Sequence, residues 1–202
     1  MKLIFLVIGI ILLTTVVFII WRLFQTPNAR NSSVDLVPVS NSKSPEPDNP
    51  YLELRSQALE FPPEQFGLDS ASKTPVTYGV VMDWNMGSGT ATFVAFSSGD
   101  ASMYTSSGGG MIGGGGREKV STTAKAFVTK AAGYVTKAER SDDIALPVEN
   151  EVKFFILTTQ GRFVAKDKLK NLDNETSALL DLFIEANYFI SEMRAVSEAN
   201  QK

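Results

Sequence analysis

The stretch VTYGVVMDWNMGSGTATFVAFSSGDASMYT, residues 76–105, decides the fold. Val76, Tyr78, Val80, Met82 and Trp84 alternate with other residues at the two-residue period of a strand that buries one face. Asn85 to Gly89 (NMGSG) reads as a turn, Thr90 to Phe96 as a second strand, Ser98-Gly99-Asp100 as a tight turn, and Ala101 to Thr105 as a third strand. Connections this short join antiparallel neighbours, because a parallel crossover needs a dozen or more residues. The stretch is therefore expected to form a three-stranded meander.

Working outward, Tyr51 to Phe61 (YLELRSQALEF) reads as a short helix stopped by Pro62 and Pro63. Beyond the meander lies a glycine run, Gly108 to Gly116, and then a helix expected from about Glu118 to Glu139. Its apolar side carries Val120, Ala124, Phe127, Val128, Ala131, Val135 and Ala138, and its lysines lie off that side. Glu151 to Thr158 and Arg162 to Lys166 read as two more strands around a Gln160-Gly161 turn. A last helix is expected from about Glu175 to Ser197, with an apolar side wider than one sheet needs.

This order implies an α+β fold: a five-stranded antiparallel sheet packed with two to three helices, preceded by one transmembrane helix. The layout of residues 51–202 resembles the roadblock, longin and profilin-type scaffolds, which also set helices against a small antiparallel sheet. It departs from the roadblock order by placing more strands before the central helix than after it. The stretch Gly79 to Gly116, GVVMDW through ASMYTSSGGGMIGGGG, is also similar to small bacterial proteins of unassigned function.

The expected transmembrane helix is LIFLVIGIILLTTVVFIIW, Leu3 to Trp21, an uncharged run bracketed by Lys2 and Arg22. Such a run matches the ~20 apolar residues that span a bilayer and exceeds the ~7–15 of a cleaved signal. The division is thus 1–24 transmembrane anchor, 25–50 disordered Pro/Ser/Asn-rich linker, and 51–202 globular domain. Through residues 3–21 the lipid bilayer is an expected partner. Lys2 on one side and Arg22 with Arg30 on the other nearly balance. The short N-terminal flank favours the N-terminus inside and the domain extracytoplasmic, with the cytoplasmic side left open.

Composition narrows the chemistry. The 202 residues carry a net charge of -3, which argues against nucleic acid as a partner. There is no cysteine and no histidine. Disulfides, zinc-thiolate sites, thiol nucleophiles and the middle member of a Ser-His-Asp triad are all excluded. No catalytic residue, metal ligand or cofactor is expected, and the chain is not read as an enzyme.

Three readings compete for the glycine run. It joins a strand to a helix, whose N-terminus offers free N–H groups and roughly half a positive charge to an anion. On that reading Gly108, Gly110, Gly113, Gly114, Gly115 and Gly116, with Arg117 and Lys119, hold a phosphate-bearing small molecule. The Walker pattern is absent, and the Gly108-x-Gly110-x-x-Gly113 match follows from composition. The run is otherwise a flexible lid or recognition loop, or simply a turn through positive φ. Met111 and Ile112 interrupt it as an apolar tip, and with Tyr188 and Phe189 of the last helix they are candidate surface for a protein partner or a homodimer.

Other constellations are weak. Ser70-Ala-Ser-Lys73 fits a Ser-x-x-Lys pattern, but so does Ser40-Asn-Ser-Lys43, and the companion elements of penicillin-recognising enzymes are missing. Asp142-Asp143 is read as a solvated pair. Asp83 is read as facing water, with a base in a cleft as the sharper alternative. The expected function is a membrane-anchored protein with a small non-catalytic binding or scaffolding domain; the alternative is a phosphate-ligand sensor.

Overall fold

The computed structural model describes residues 50–71 and 73–199. In chain order, α1 is Pro50–Leu59, β1 Thr77–Asn85, β2 Thr90–Phe96, β3 Ala101–Thr105 and β4 Gly110–Met111. Then come α2 Glu118–Ala132, β5 Glu139–Arg140, β6 Glu151–Thr158, β7 Gly161–Lys168, α3 Leu169–Asp173 and α4 Leu180–Ala199. Single 3-10 turns occupy Pro63–Phe66, Gly114–Gly116 and Val135–Lys137.

The fold is α+β, and two expectations are corrected. Among the described residues the sheet has seven strands, not five, in the order β4-β3-β2-β1-β6-β7-β5, with every pairing antiparallel. Among the described residues four α-helices accompany it, where two to three were expected. The extra strands are two-residue pieces, one inside the glycine run and one where the central helix was expected to end. That helix ends at Ala132, where the amides of Gly133 and Tyr134 turn to the carbonyls three residues back, Lys130 and Ala131, and the α-helical ladder stops.

The third correction concerns the membrane. Among the described residues no helix is long and apolar enough to cross a bilayer. Residues 3–21, on which the single-pass expectation rested, lie outside the described residues, as do residues 25–49 of the linker. The membrane assignment, and with it the extracytoplasmic placement, gives way to an α+β domain without a membrane-crossing helix.

The two faces of the sheet are covered differently. α2 and α4 lie on the first face. Val120, Ala124, Phe127, Val128 and Ala131 of α2, and Leu182, Ala186, Phe189, Ile190 and Met193 of α4, recur at helical spacing and are buried. They pack on Val80, Met82, Phe93, Phe154 and Ile156 of the strands. The Phe127 ring stacks on Phe189 at 5.8 Å and meets Phe154 edge-on at 6.3 Å. The second face holds Val81, Val94, Phe155 and Leu157, covered by Tyr51, Ala58 and Leu59 of α1. Phe61 and Phe66, just after α1, extend this cover over Tyr78 and Phe96.

Tyr78 was expected beside Val80 and Met82, yet it packs with Val81 on the second face. A register shift between Thr77 and Gly79 against β6 supplies the reason. The extra residue of a bulge turns the side-chain alternation over.

Candidate functional site

Residues Ser106 to Gly109 close a tight hairpin between β3 and β4. The Thr105 amide donates to the Gly109 carbonyl at 3.1 Å, the Gly108 amide to the Thr105 carbonyl at 3.0 Å, and the Thr105 hydroxyl to the Gly108 carbonyl at 2.6 Å. Met111 and Gly110 then pair with Met103 and Tyr104. A Cβ at Gly110 would collide with the Met103 carbonyl oxygen, so this pairing requires glycine. A Cβ at Gly115 would lie 2.6 Å from the Gly99 carbonyl oxygen, so the close approach of the 3-10 turn to the β2–β3 connection requires it too. Gly114 is buried against Met193 and Met111; Gly108, Gly113 and Gly116 stand in open space. The run is thus a hairpin followed by a 3-10 turn, and most of it is built structure.

The helix that follows bears on the phosphate reading. Arg117 is the N-cap of α2 and makes no side-chain cap bond; Arg117 and Lys119 are exposed. Glu118 sits in the first turn, where its carboxylate takes the favourable position beside the helix's positive end and repels an incoming anion. Of the apolar candidates, Ile112 is 66% exposed and Met111 is half-buried. Both line a groove of about 230 Å³ between the hairpin and the start of α1. Phe189 is fully buried and stacked on Phe127, so it belongs to the core and to no surface.

Asp83, expected to face water, is 0% exposed on the second face. The strand registers align Tyr104, Thr92, Asp83, Lys153 and Lys166 in one row across β3, β2, β1, β6 and β7. Arg55 of α1 drops onto this row: its Nε donates to Asp83 Oδ2 at 2.7 Å, and Nη2 lies 2.7 Å from the same oxygen. The Thr92 hydroxyl donates to Asp83 Oδ1 at 2.7 Å, and the Tyr51 hydroxyl lies 2.9 Å from Thr92 Oγ1. Lys153 Nζ donates to the Ala145 carbonyl at 2.7 Å, and both it and Arg55 lie over the Phe155 ring. Burial raises the hydroxyls of Tyr51, Tyr78 and Tyr104 above the ordinary phenol value, and the charge of Asp83 adds to the rise at Tyr104.

This row carries ionisable groups of the kind that catalysis uses, but Asp83 is fully buried, sealed beneath α1 by Arg55. Its hydrogen bonds run between sheet and helix, so its visible work is to fix α1 on the strands. Sequence reading raised only Asp83 and dismissed it. The signal present was its place between two apolar residues of a strand buried on both faces. Among the described residues no group of three or more acidic side chains is placed to hold a metal ion. Ser70 and Lys73 are exposed, as are Asp142 and Asp143; the Asp143 carboxylate accepts the Ala145 amide at 2.8 Å.

The open surface that stands out is on α4. Its outer side carries Ile184, 43% exposed, and Tyr188, 63% exposed, one turn apart. Beside them runs a groove of about 500 Å³, floored by Leu172, Leu180 and Phe183 and bordered by Asp173 and Glu175 from the α3–α4 turn. Phe183 is held from below by the Trp84 ring, edge-on at 5.4 Å. Against known proteins, no family model matches the chain, and no curated protein or solved structure is significantly similar to it.

Proposed function

We propose that the domain is a non-catalytic binding or scaffolding module that takes a protein partner in the groove between α3 and α4. The observation that supports this reading is the apolar outer side of α4. A helix that has already buried one side in a core presents polar residues on the other, and large apolar side chains there mark an interaction surface. Tyr188 and Ile184 are such side chains, and the groove gives them a concave border. Tyrosine also ranks among the residues that anchor interfaces.

A photo-crosslinking side chain placed at Tyr188 should yield a discrete crosslinked product in the protein's own cells. The same group at Thr129, exposed on α2, serves as the reference. Equal yields at the two positions, or none at Tyr188, would remove the groove's claim.

A further inference from the structure

We propose that the occupant of this groove is a basic amphipathic helix, which sets leucine-sized side chains on the floor and lysines or arginines against the border. The inference rests on the reading of the groove as a partner site and names the partner's chemistry.

Shape and charge carry it. Leu180, Ile184 and Tyr188 recur every four residues along one helix, so the surface is a straight ridge beside a furrow. From Leu180 to Ser191 it is about 16 Å long, three turns of helix. A second helix is the element whose own ridges fit such a furrow. The border is one-signed: Asp173 and Glu175 line the groove, and no lysine or arginine does. Lys170 and Arg194, the basic residues of α3 and α4, are outside its lining. Asp181, in the first turn of α4, is exposed and likewise outside the lining, so the charge of the border rests on Asp173 and Glu175. A cationic partner gains from this charge on approach and in register, and an acidic one is repelled.

Glu175 supplies a way to separate binding from architecture. It follows Asn174, the C-cap of α3, with φ +58, the left-handed region that glycine and asparagine enter most easily. The backbone there prefers another residue, so its carboxylate can be removed without harm to the turn.

The test uses the full chain and two labelled fourteen-residue synthetic helices with the same leucine pattern, one with lysines at every polar position and one with glutamates. Fluorescence anisotropy should show the lysine helix binding about tenfold or more tighter than the glutamate helix, with affinity falling as salt rises. Glu175→Gly should weaken the lysine helix about threefold to tenfold while the melting temperature holds or rises. Tyr188→Asp should abolish binding.

Similar binding of the two peptides would overturn the proposal, as would unchanged affinity in both variants. Self-association of the wild-type chain that Tyr188→Asp dissolves would assign the face to a second copy instead, and would also overturn it. A product crosslinked through Tyr188 in cells, together with no binding of the lysine helix, would end this inference and leave the partner site standing.

Discussion

On one face of the sheet, α2 and α4, 15 and 20 residues long, press phenylalanine, leucine and valine against the strands. On the other, α1 is only 10 residues long and buries Tyr51, Arg55, Ala58 and Leu59. The long helices have enough apolar side for non-directional burial to hold them, at about 1.5–3 kcal/mol for each large side chain. The short helix has too little, and its seat is set by directional contacts: an ion pair, a hydroxyl and a second hydroxyl in series. A buried ion pair adds little net stability against a well-packed apolar pair, because desolvation offsets the attraction. What it fixes is position, since Asp83 accepts only a donor that arrives in the right place.

The strongest test of this contrast is Asp83→Ala. It leaves Arg55 buried without its partner and should destabilise by about 3–5 kcal/mol in denaturant unfolding, as much as losing a core phenylalanine. The double substitution Asp83→Leu with Arg55→Met should recover most of that loss. If the double variant is as damaged as the single, the pair is a source of stability and the contrast fails.

A smaller effect follows from the tyrosines. Tyr51, Tyr78 and Tyr104 all lie on the second face, with hydroxyls raised above 10.0. A raised folded value gives stability that is complete below pH 10 and is lost as pH climbs from there, because the unfolded phenols ionise first. Tyr104→Phe should flatten this alkaline loss, at a cost near neutral pH under about 1 kcal/mol, since its hydroxyl bond to the Leu54 carbonyl is a long 3.4 Å. An unchanged alkaline limb would argue that Tyr104 ionises freely.

The smallest effect is on the acid side. Burial would raise Asp167 at the end of β7, but hydrogen bonds from Ser177, Asn171 and the Lys168 amide outweigh it and hold the carboxyl below 3.8. A lowered folded value gives stability that is present above pH 3.8 and lost as pH falls through the lowered value. The group is half-buried, so solvent still screens part of the effect. Asp167→Asn should make the acid limb slightly shallower, read as a melting temperature that changes less between pH 5 and pH 3. A steeper limb would contradict the assignment.

Much of the fold was legible because its signals are periodic. β2 and β3 fall where alternation and turn residues place them, and α2 begins where its apolar spacing does. What was missed has a common cause. β4 lies within glycines, whose lack of side chains leaves no alternation to read, and β5 is a Glu-Arg pair with none either. The side of Tyr78 was misread because a bulge inverts alternation without leaving a mark in composition. α3 was invisible because a five-residue helix is shorter than the pattern that identifies one. At the candidate site, Tyr188 was legible as surplus apolar surface, and Phe189 was not separable from it, since neighbours on a helix face different ways only once the core is known. The acidic border was not legible, because Asp173 and Glu175 reach the groove only through the turn between two helices.

The two short strands end the sheet. One terminal strand is Gly110–Met111 and the other Glu139–Arg140, each two residues long. A foreign chain pairing with either of these strands would find only two residues of ladder to copy, and at one end it would meet a pair of charges. Sheets with long, flat outer strands polymerise through them, and natural proteins blunt that tendency with brief or charged ones. These outermost strands cover β3 at Met103 and Tyr104 and β7 at Phe163 and Val164, and over those residues they blunt growth of the sheet.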